Sequence, residues 1–319
     1  VQESPEEIAL WQKAIIYFAP IPAEAANPEN PITPAKVALG KSLYFDTQLS
    51  KDGNVSCNSC HDLATFGVDN LPRSPGDEGQ LGGRNSPTVL NAALHGSQFW
   101  DGRAEDLEEQ AGMPILNPIE MAIPSEEFLV ERLSAISAYE TRFAEAFPDH
   151  DPPLTFANIS RALAAFERTL LTPSRFDAYL DGERDALNEQ EKAGLRHFMS
   201  MGCVNCHNGV NVGATSFQKF GVFDDYWEHT KSASIDEGRF EVTKNPGDKY
   251  VFRVASLRNV EKTAPYFHDG SVEELEAAIA IMIETQLGPE SSAEPAAAIT
   301  AFLRTLTGEL PEGALLQES

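Results

Sequence analysis

The chain has 319 residues, enough for two domains of ordinary size, and its 42% hydrophobic and 23% charged residues are the balance of a globular protein. No apolar run is long enough to span a membrane. A formal charge of -25 makes nucleic acid a poor partner and a cationic or locally basic protein a better one, although a generic acidic surface would read the same.

Ser4-Pro5-Glu6-Glu7 predicts a helix start: a capping serine, proline at the first helical position and acids on the positive end. Ile8, Trp11, Ile15 and Phe18 follow at helical spacing. The proline-rich passage Pro20 to Pro34 predicts surface cover rather than core. Thr33-Pro34-Ala35-Lys36 starts a second helix, which carries Val37, Leu39, Leu43 and Tyr44 toward Cys57-Asn58-Ser59-Cys60-His61. Cys-x-x-Cys-His is the attachment signal of a c-type haem. Its two thiols add across the vinyl groups, and the histidine becomes a proximal iron ligand. A zinc knuckle, a redox dithiol and structural disulfides are the alternatives. Zinc would gather its thiolates and imidazoles into one tetrahedron, and a dithiol needs no histidine in the fifth place.

Asp62 to Asn85 is a long polar loop rich in glycine and proline, of a length usually functional or mobile. Glu105 to Met121 follows, then a helix opening at Ser125-Glu126-Glu127. An amphipathic helix runs through Phe156, Ile159, Leu163, Phe166 and Leu170 and stops at Thr172-Pro173-Ser174, where the domain boundary is expected, giving domains 1–171 and 172–319.

Asn188-Glu189-Gln190-Glu191 has the pattern of a capping box and opens a helix leading to Cys203-Val204-Asn205-Cys206-His207. The motif is thus stated twice, and the two copies use all 4 cysteines. Gly209 to Asp248 is polar, with aromatic residues suited to short hairpins. Ser271-Val272-Glu273-Glu274 matches a further capping box, with Leu275, Ile279 and Met282 on one face. A last helix carries Ile299, Phe302, Leu303 and Leu306, and Pro311 onward reads as a tail. Phe99-Trp100-Asp101-Gly102 and Phe267-His268-Asp269-Gly270 recur, each five residues before a leucine. The expected fold is therefore mostly α: two cytochrome c-like haem domains related by internal duplication, with long irregular loops. Covalent haem attachment places such a chain in the periplasm, and the missing signal peptide is then expected of a mature form.

Several further segments carry a resemblance: Val55-Ser56-Cys57, Arg84-Asn85-Ser86-Pro87-Thr88-Val89-Leu90-Asn91, Gln98-Phe99-Trp100-Asp101-Gly102-Arg103-Ala104, Tyr250-Val251-Phe252-Arg253, Ser256-Leu257-Arg258-Asn259-Val260 and Pro265-Tyr266-Phe267-His268. With them the chain resembles the bacterial dihaem cytochrome c peroxidases over roughly Thr33 to Gly308. The resemblance implies reduction of hydrogen peroxide to water with electrons from a small cytochrome c or cupredoxin, a low-potential peroxidatic haem in the N-terminal domain, a high-potential electron-entry haem in the C-terminal one, and allows a homodimer. His61 and His207 become the proximal ligands and Met282 the distal ligand of the second haem. A thioether favours ferrous iron, whereas on composition alone Met282 would be core filler.

The resemblance also maps the peroxide pocket to Phe99, Gln110, Pro114 and Glu120. Glu120 has the chemistry to take a proton from bound peroxide and return it to the departing oxygen, though alone it would read as a surface charge. Trp100 falls where the family has a tryptophan on the electron path, and packing is its plainer role. A calcium ion is implied at Asn85 and the carbonyls of Thr263 and Pro265, oxygen donors of the right kind. One departure stands out: Asp77 occupies the place of a loop histidine that in many members ligates the resting first iron, and Met113 is a candidate substitute. Two other readings are a dihaem enzyme that oxidises aromatic residues of a partner protein, as relatives that mature methylamine dehydrogenase do, and a non-catalytic dihaem electron carrier.

Overall fold

The computed structural model describes residues 4–288 and 291–315. Helix dominates, and the chain divides into two compact units, one around each Cys-x-x-Cys-His motif. The first-motif unit is built from 23–93, 104–171 and 310–315; the second-motif unit from 4–22, 94–103 and 172–309. The expected split into consecutive halves is corrected accordingly. The chain does change unit at Leu171–Thr172, but the N-terminal helix and the strip 94–103 pack with the second motif, and the last described residues pack with the first.

Helix α1 (Pro5–Tyr17) begins at a reciprocal cap, in which Ser4 Oγ accepts the Glu7 N–H and the Glu7 carboxylate accepts the Ser4 N–H. Of the predicted stripe Phe18 is buried and Trp11 partly so, but Leu10 and Ala14 take the other buried places and Ile15 is exposed. The stripe is turned because the aromatic cluster of Phe176 and Phe198 receives Phe18, while Trp11 lies at the edge with its Nε1 donating to the Leu180 carbonyl at 3.1 Å.

In the first-motif unit, α2 (Pro34–Tyr44) is capped by Thr33, and α3 (Cys57–Cys60) is the single turn of the motif. α4 (Leu107–Leu116), α5 (Glu126–Ser134), α6 (Ser137–Ala146) and α7 (Phe156–Glu167) follow. Leu39, Leu43 and Tyr44 of α2 meet Ile159, Leu163 and Phe166 of α7 in the core. The two helices touch at Gly40, where a Cβ would lie 1.9 Å from the Ala162 carbonyl oxygen and 2.9 Å from Phe166 Cβ. The proline-rich passage does more than cover: Asn30 is buried and donates to Glu108 Oε1 and to the Arg161 carbonyl, both at 2.9 Å. Nor is 311–315 a tail. Ala314 is in the core, and Lys41 Nζ donates to the carbonyls of Gly313 (2.6 Å) and Leu315 (2.5 Å).

The second-motif unit adds α8 (Arg175–Leu180), α9 (Glu189–Ser200), α10 (Tyr226–Thr230), α11 (Phe240–Thr243), α12 (Leu275–Leu287) and α13 (Ala296–Arg304). α9 crosses α13 at Gly194, where a Cβ would lie 1.9 Å from the Ala298 carbonyl oxygen and 2.9 Å from Phe302 Cβ, the geometry of Gly40 over again. The aromatic segment yields β1 (Phe217–Lys219), but its antiparallel partner is the distant β2 (Val251–Arg253), with Phe217 opposite Arg253, so no tight hairpin forms. The box expected at Ser271–Glu274 is also absent. α12 starts after Glu274 without a side-chain cap, because Val272 is held in a bridge to Tyr266, whose N–H donates to its carbonyl at 2.6 Å.

Candidate haem-binding and active site

Each motif folds as a tight turn that brings its histidine back over its first cysteine. The His61 N–H donates to the Cys57 carbonyl at 3.0 Å and the His207 N–H to the Cys203 carbonyl at 2.8 Å. The residues beyond repeat as well: Phe66–Gly67 and Val212–Gly213, five and six positions after each histidine, all lie at positive φ. In the second motif this bend places the Val212 carbonyl 3.3 Å from His207 Nδ1. A Cβ on Gly213 would lie 3.2 Å from that nitrogen and 2.2 Å from the Ala255 carbonyl oxygen, so only glycine fits beneath the ring. Burial brings the His207 imidazole down to about 4, so it is neutral and a competent iron ligand. An Nδ1 held toward a carbonyl is the orientation that presents Nε2 to a metal. In the first motif burial again lowers the pKa of the His61 ring, and Tyr44 Oη donates to the His61 carbonyl at 2.5 Å.

The thiols answer the alternatives. All four are free. Burial raises Cys57, and lifts Cys60 and Cys203 to about 11, the reverse of the depression that activates a redox dithiol. Among the described residues no group of three or more His, Cys, Asp or Glu side chains could hold a metal ion. Paired neutral thiols, each with an adjacent neutral imidazole, fit covalent haem.

The predicted pocket residues divide between the units. Gln110 and Pro114 are i, i+4 on α4 and share a face. The chain then turns back, with the N–H groups of Asn117 and Met121 donating to the Pro114 carbonyl at 3.3 and 3.2 Å. That turn carries Glu120 to within electrostatic reach of Cys60, whose thiol its charge helps to raise. Phe99 and Trp100 belong to the second-motif unit. Phe99 sits at φ 65° under the Arg103 guanidinium, 3.5 Å from its centroid, and Arg253 holds this strip through the carbonyls of Phe99 (3.1 Å) and Trp100 (2.7 Å). Met282, on α12, packs with Phe220, Tyr226 and Phe252 in the same unit, and Trp100 joins that cluster.

The loop carrying Asp77 is ordered. Its N–H donates to the Glu120 carbonyl at 2.7 Å, its buried carboxylate accepts the Asp52 N–H at 3.2 Å, and a Cβ on Gly76 would lie 1.9 Å from the Ile119 carbonyl oxygen. Met113 lines a groove of about 370 Å³ with Gly112, Leu116 and Phe156, a lining that does not include Gln110 or Pro114. Asn85, whose amide donates to the Leu71 carbonyl at 2.9 Å, is in the first-motif unit, whereas Thr263 and Pro265 are in the second. The sequence reading missed Glu167, a buried acid at the end of α7, and Gly213. The equal spacing of six residues from His61 to Gly67 and from His207 to Gly213 is the signal that would have found Gly213.

A model described as di-haem cytochrome c peroxidase matches residues 34–185. The chain is 46% identical over 305 residues to the cytochrome c551 peroxidase of Pseudomonas aeruginosa, covering 95% of this chain and 88% of that one. Against the cytochrome c551 peroxidase of Nitrosomonas europaea it is 46% identical over 293 residues, 91% of this chain and 84% of the other. Among solved structures, a MauG-like protein associated with microbial copper homeostasis superposes with TM-score 0.79 at 32% identity, covering 91% of this chain and 94% of that one. With such identity across nearly its whole described length, the chain belongs to the di-haem cytochrome c peroxidase family.

Proposed function

We propose that this is a periplasmic dihaem peroxidase that reduces hydrogen peroxide to water with electrons from a small cytochrome c or cupredoxin. Cys57, Cys60 and His61 would hold the peroxidatic haem; Cys203, Cys206, His207 and Met282 would hold the electron-entry haem. When bound, the two groups supply one-electron chemistry and an iron able to receive peroxide. Glu120 takes the proton of the peroxide O–H on its carboxylate and returns it to the oxygen that departs. Gln110 orients the oxygens by hydrogen bonding, Pro114 and Phe99 wall the pocket, and Trp100 lies on the electron path. The repeated bends after each motif and the matched helix crossings at Gly40 and Gly194 support two copies of one ancestral unit. Oxygen donors at Asn85, Thr263 and Pro265 suit a calcium ion, and metal analysis of chelator-treated protein tests it.

The observation that supports the reading is the turn after the helix bearing Gln110 and Pro114, which puts Glu120 within electrostatic reach of Cys60. Glu120→Gln is expected to lower peroxide turnover by about 10²–10⁴ while the covalent haem content, measured as pyridine haemochrome, is unchanged. Turnover equal to the parent's overturns the assignment. One observation favours the second reading, oxidation of a partner's aromatic residues: Asp77, at the place of the loop histidine, is engaged with the Asp52 N–H and the Glu120 carbonyl. Met282 weighs against it, since those relatives carry tyrosine there.

A further inference from the structure

The two units place different chemistry at one equivalent position. The crossings at Gly40 and Gly194 align α2 with α9 and α7 with α13, so that Ala162 matches Ala298 and Phe166 matches Phe302. Tyr44 then matches Phe198, four residues beyond each glycine, and Glu167 matches Leu303. The ring contacts agree: Tyr44 meets Phe166 and Phe198 meets Phe302, each with centroids 5.3 Å apart. In the second-motif unit the pair is therefore wholly apolar, Phe198 and Leu303. In the first-motif unit it is a phenol and a carboxyl, both buried.

Among the described residues Glu167 has no ion-pair partner. The neighbouring Arg168 guanidinium is spent on Glu108, at 2.6 Å, and on the Ala25 carbonyl. Among the described residues no hydrogen bond or ion pair reaches the Glu167 carboxyl, which is 5% exposed. The groups that face it are Glu108 of α4, Arg168 of its own helix end, Tyr44 of α2 and the Cys57 thiol; Glu108 repels its charge, Arg168 favours it, and it in turn raises Tyr44 and Cys57. Burial and Glu108 lift this carboxyl to about 8. An uncompensated acid in a core is expensive and is retained where its proton is used.

We propose that Glu167, beside Tyr44, is a redox-linked proton site confined to the first-motif unit, resting on the reading that Cys57, Cys60 and His61 hold a haem. When that haem gains one electron from the donor protein, which is oxidised by one, a proton from solvent forms the O–H bond on the Glu167 carboxylate. When the electron leaves, the O–H bond breaks and the proton returns to solvent. Net charge in the core is then the same in both states. Tyr44, bonded to the His61 carbonyl, is the positioning residue between this site and the proximal ligand. The other unit, with Phe198 and Leu303, passes electrons alone.

The sign follows from charge. A ferric centre favours the carboxylate and a ferrous one the acid, so in the interval around neutral pH reduction takes up a proton and the first-haem potential falls as pH rises. Spectroelectrochemical titration of the holoprotein from pH 6 to 9 reads this. The parent is expected to show the fall at the first haem and a flat second haem, and Glu167→Gln is expected to flatten the first. An infrared difference spectrum should show a protonated carboxyl band on reduction that the variant lacks. Should Glu167→Gln fold poorly, Tyr44→Phe with Glu167→Leu installs the apolar pair that the other unit already accommodates. A pH-independent first haem in the parent, or an undiminished fall in either variant, overturns the proposal. Because potentials are read without peroxide, a failure of peroxide turnover leaves this result standing, and absence of a first haem would sink the functional reading instead.

Discussion

On the proposed assignment of His207 to iron, its other nitrogen needs settling, and a glycine does part of that work. Gly213 sits at φ 133°, with no room for a Cβ against the Ala255 carbonyl and His207 Nδ1. Gly213→Ala is expected to cost about 1–3 kcal/mol from backbone strain and to disturb the His207 ring, seen as a lowered Tm and an altered second-haem spectrum. Gly209→Ala is the control: φ is 73° but nothing lies within 4 Å, so its cost is backbone alone and the spectrum stays. Met282→His should keep the second iron six-coordinate yet lower its potential, since imidazole favours ferric iron more than a thioether does. An unchanged potential would make Met282 packing only. The motif cysteines and histidines are legible in sequence because covalent attachment fixes their spacing. Glu167 is not, because one buried acid among 49 acidic residues has no local signature.

Helix starts were equally legible. Ser4, Thr33, Ser125 and Asn188 each accept a backbone N–H as their sequences predict, since a cap is decided within four residues. What neighbours decide was not legible: the turned stripe of α1, or the loss of the box at Ser271 to a bridge. The junction of α8 with its surroundings is of this second kind. Asp177 takes a bidentate ion pair from fully buried Arg258 at 2.6 and 2.9 Å, and also accepts the Ile21 N–H at 2.8 Å. Burial alone would raise this carboxyl, but the Arg258 charge and these hydrogen bonds outweigh it and hold it below its usual range. Arg258→Met is expected to lose about 3–5 kcal/mol at neutral pH, because it strands a buried carboxylate. A depressed carboxyl stabilises above its unfolded value of about 3.9 and stops doing so as pH falls through the lower folded value. The gap between parent and variant in denaturant titrations should therefore be full near pH 6 and narrow below about pH 4. A gap constant with pH would exclude Asp177 as its source.

For the whole protein, the loop after the first motif bears on the resting state of the proposed first haem. It offers no histidine, Asp77 is engaged with Asp52 and the Glu120 backbone, and Met113 lies in a groove whose lining does not include Gln110 or Pro114. The fully oxidised protein is expected to show a high-spin first haem in low-temperature paramagnetic resonance and to react with peroxide without prior reduction. Two low-spin signals, and no reaction until one electron is added, would show that another residue closes the site. The ordered ends of the chain bear on how such a protein is made. Residues 4–22 complete the second-motif unit, whereas 310–315, with Ala314 buried and Lys41 gripping the carbonyls of Gly313 and Leu315, complete the first. At a synthesis rate of about 5–20 residues per second, the opening helix emerges many seconds before the segment it packs against. The first-motif unit, although it starts early, cannot be finished until residues 310–315 have been made. Both motifs are thus made well before the residues that complete the first-motif unit, and a stop codon at Leu310 is expected to be felt first in the stability of that unit.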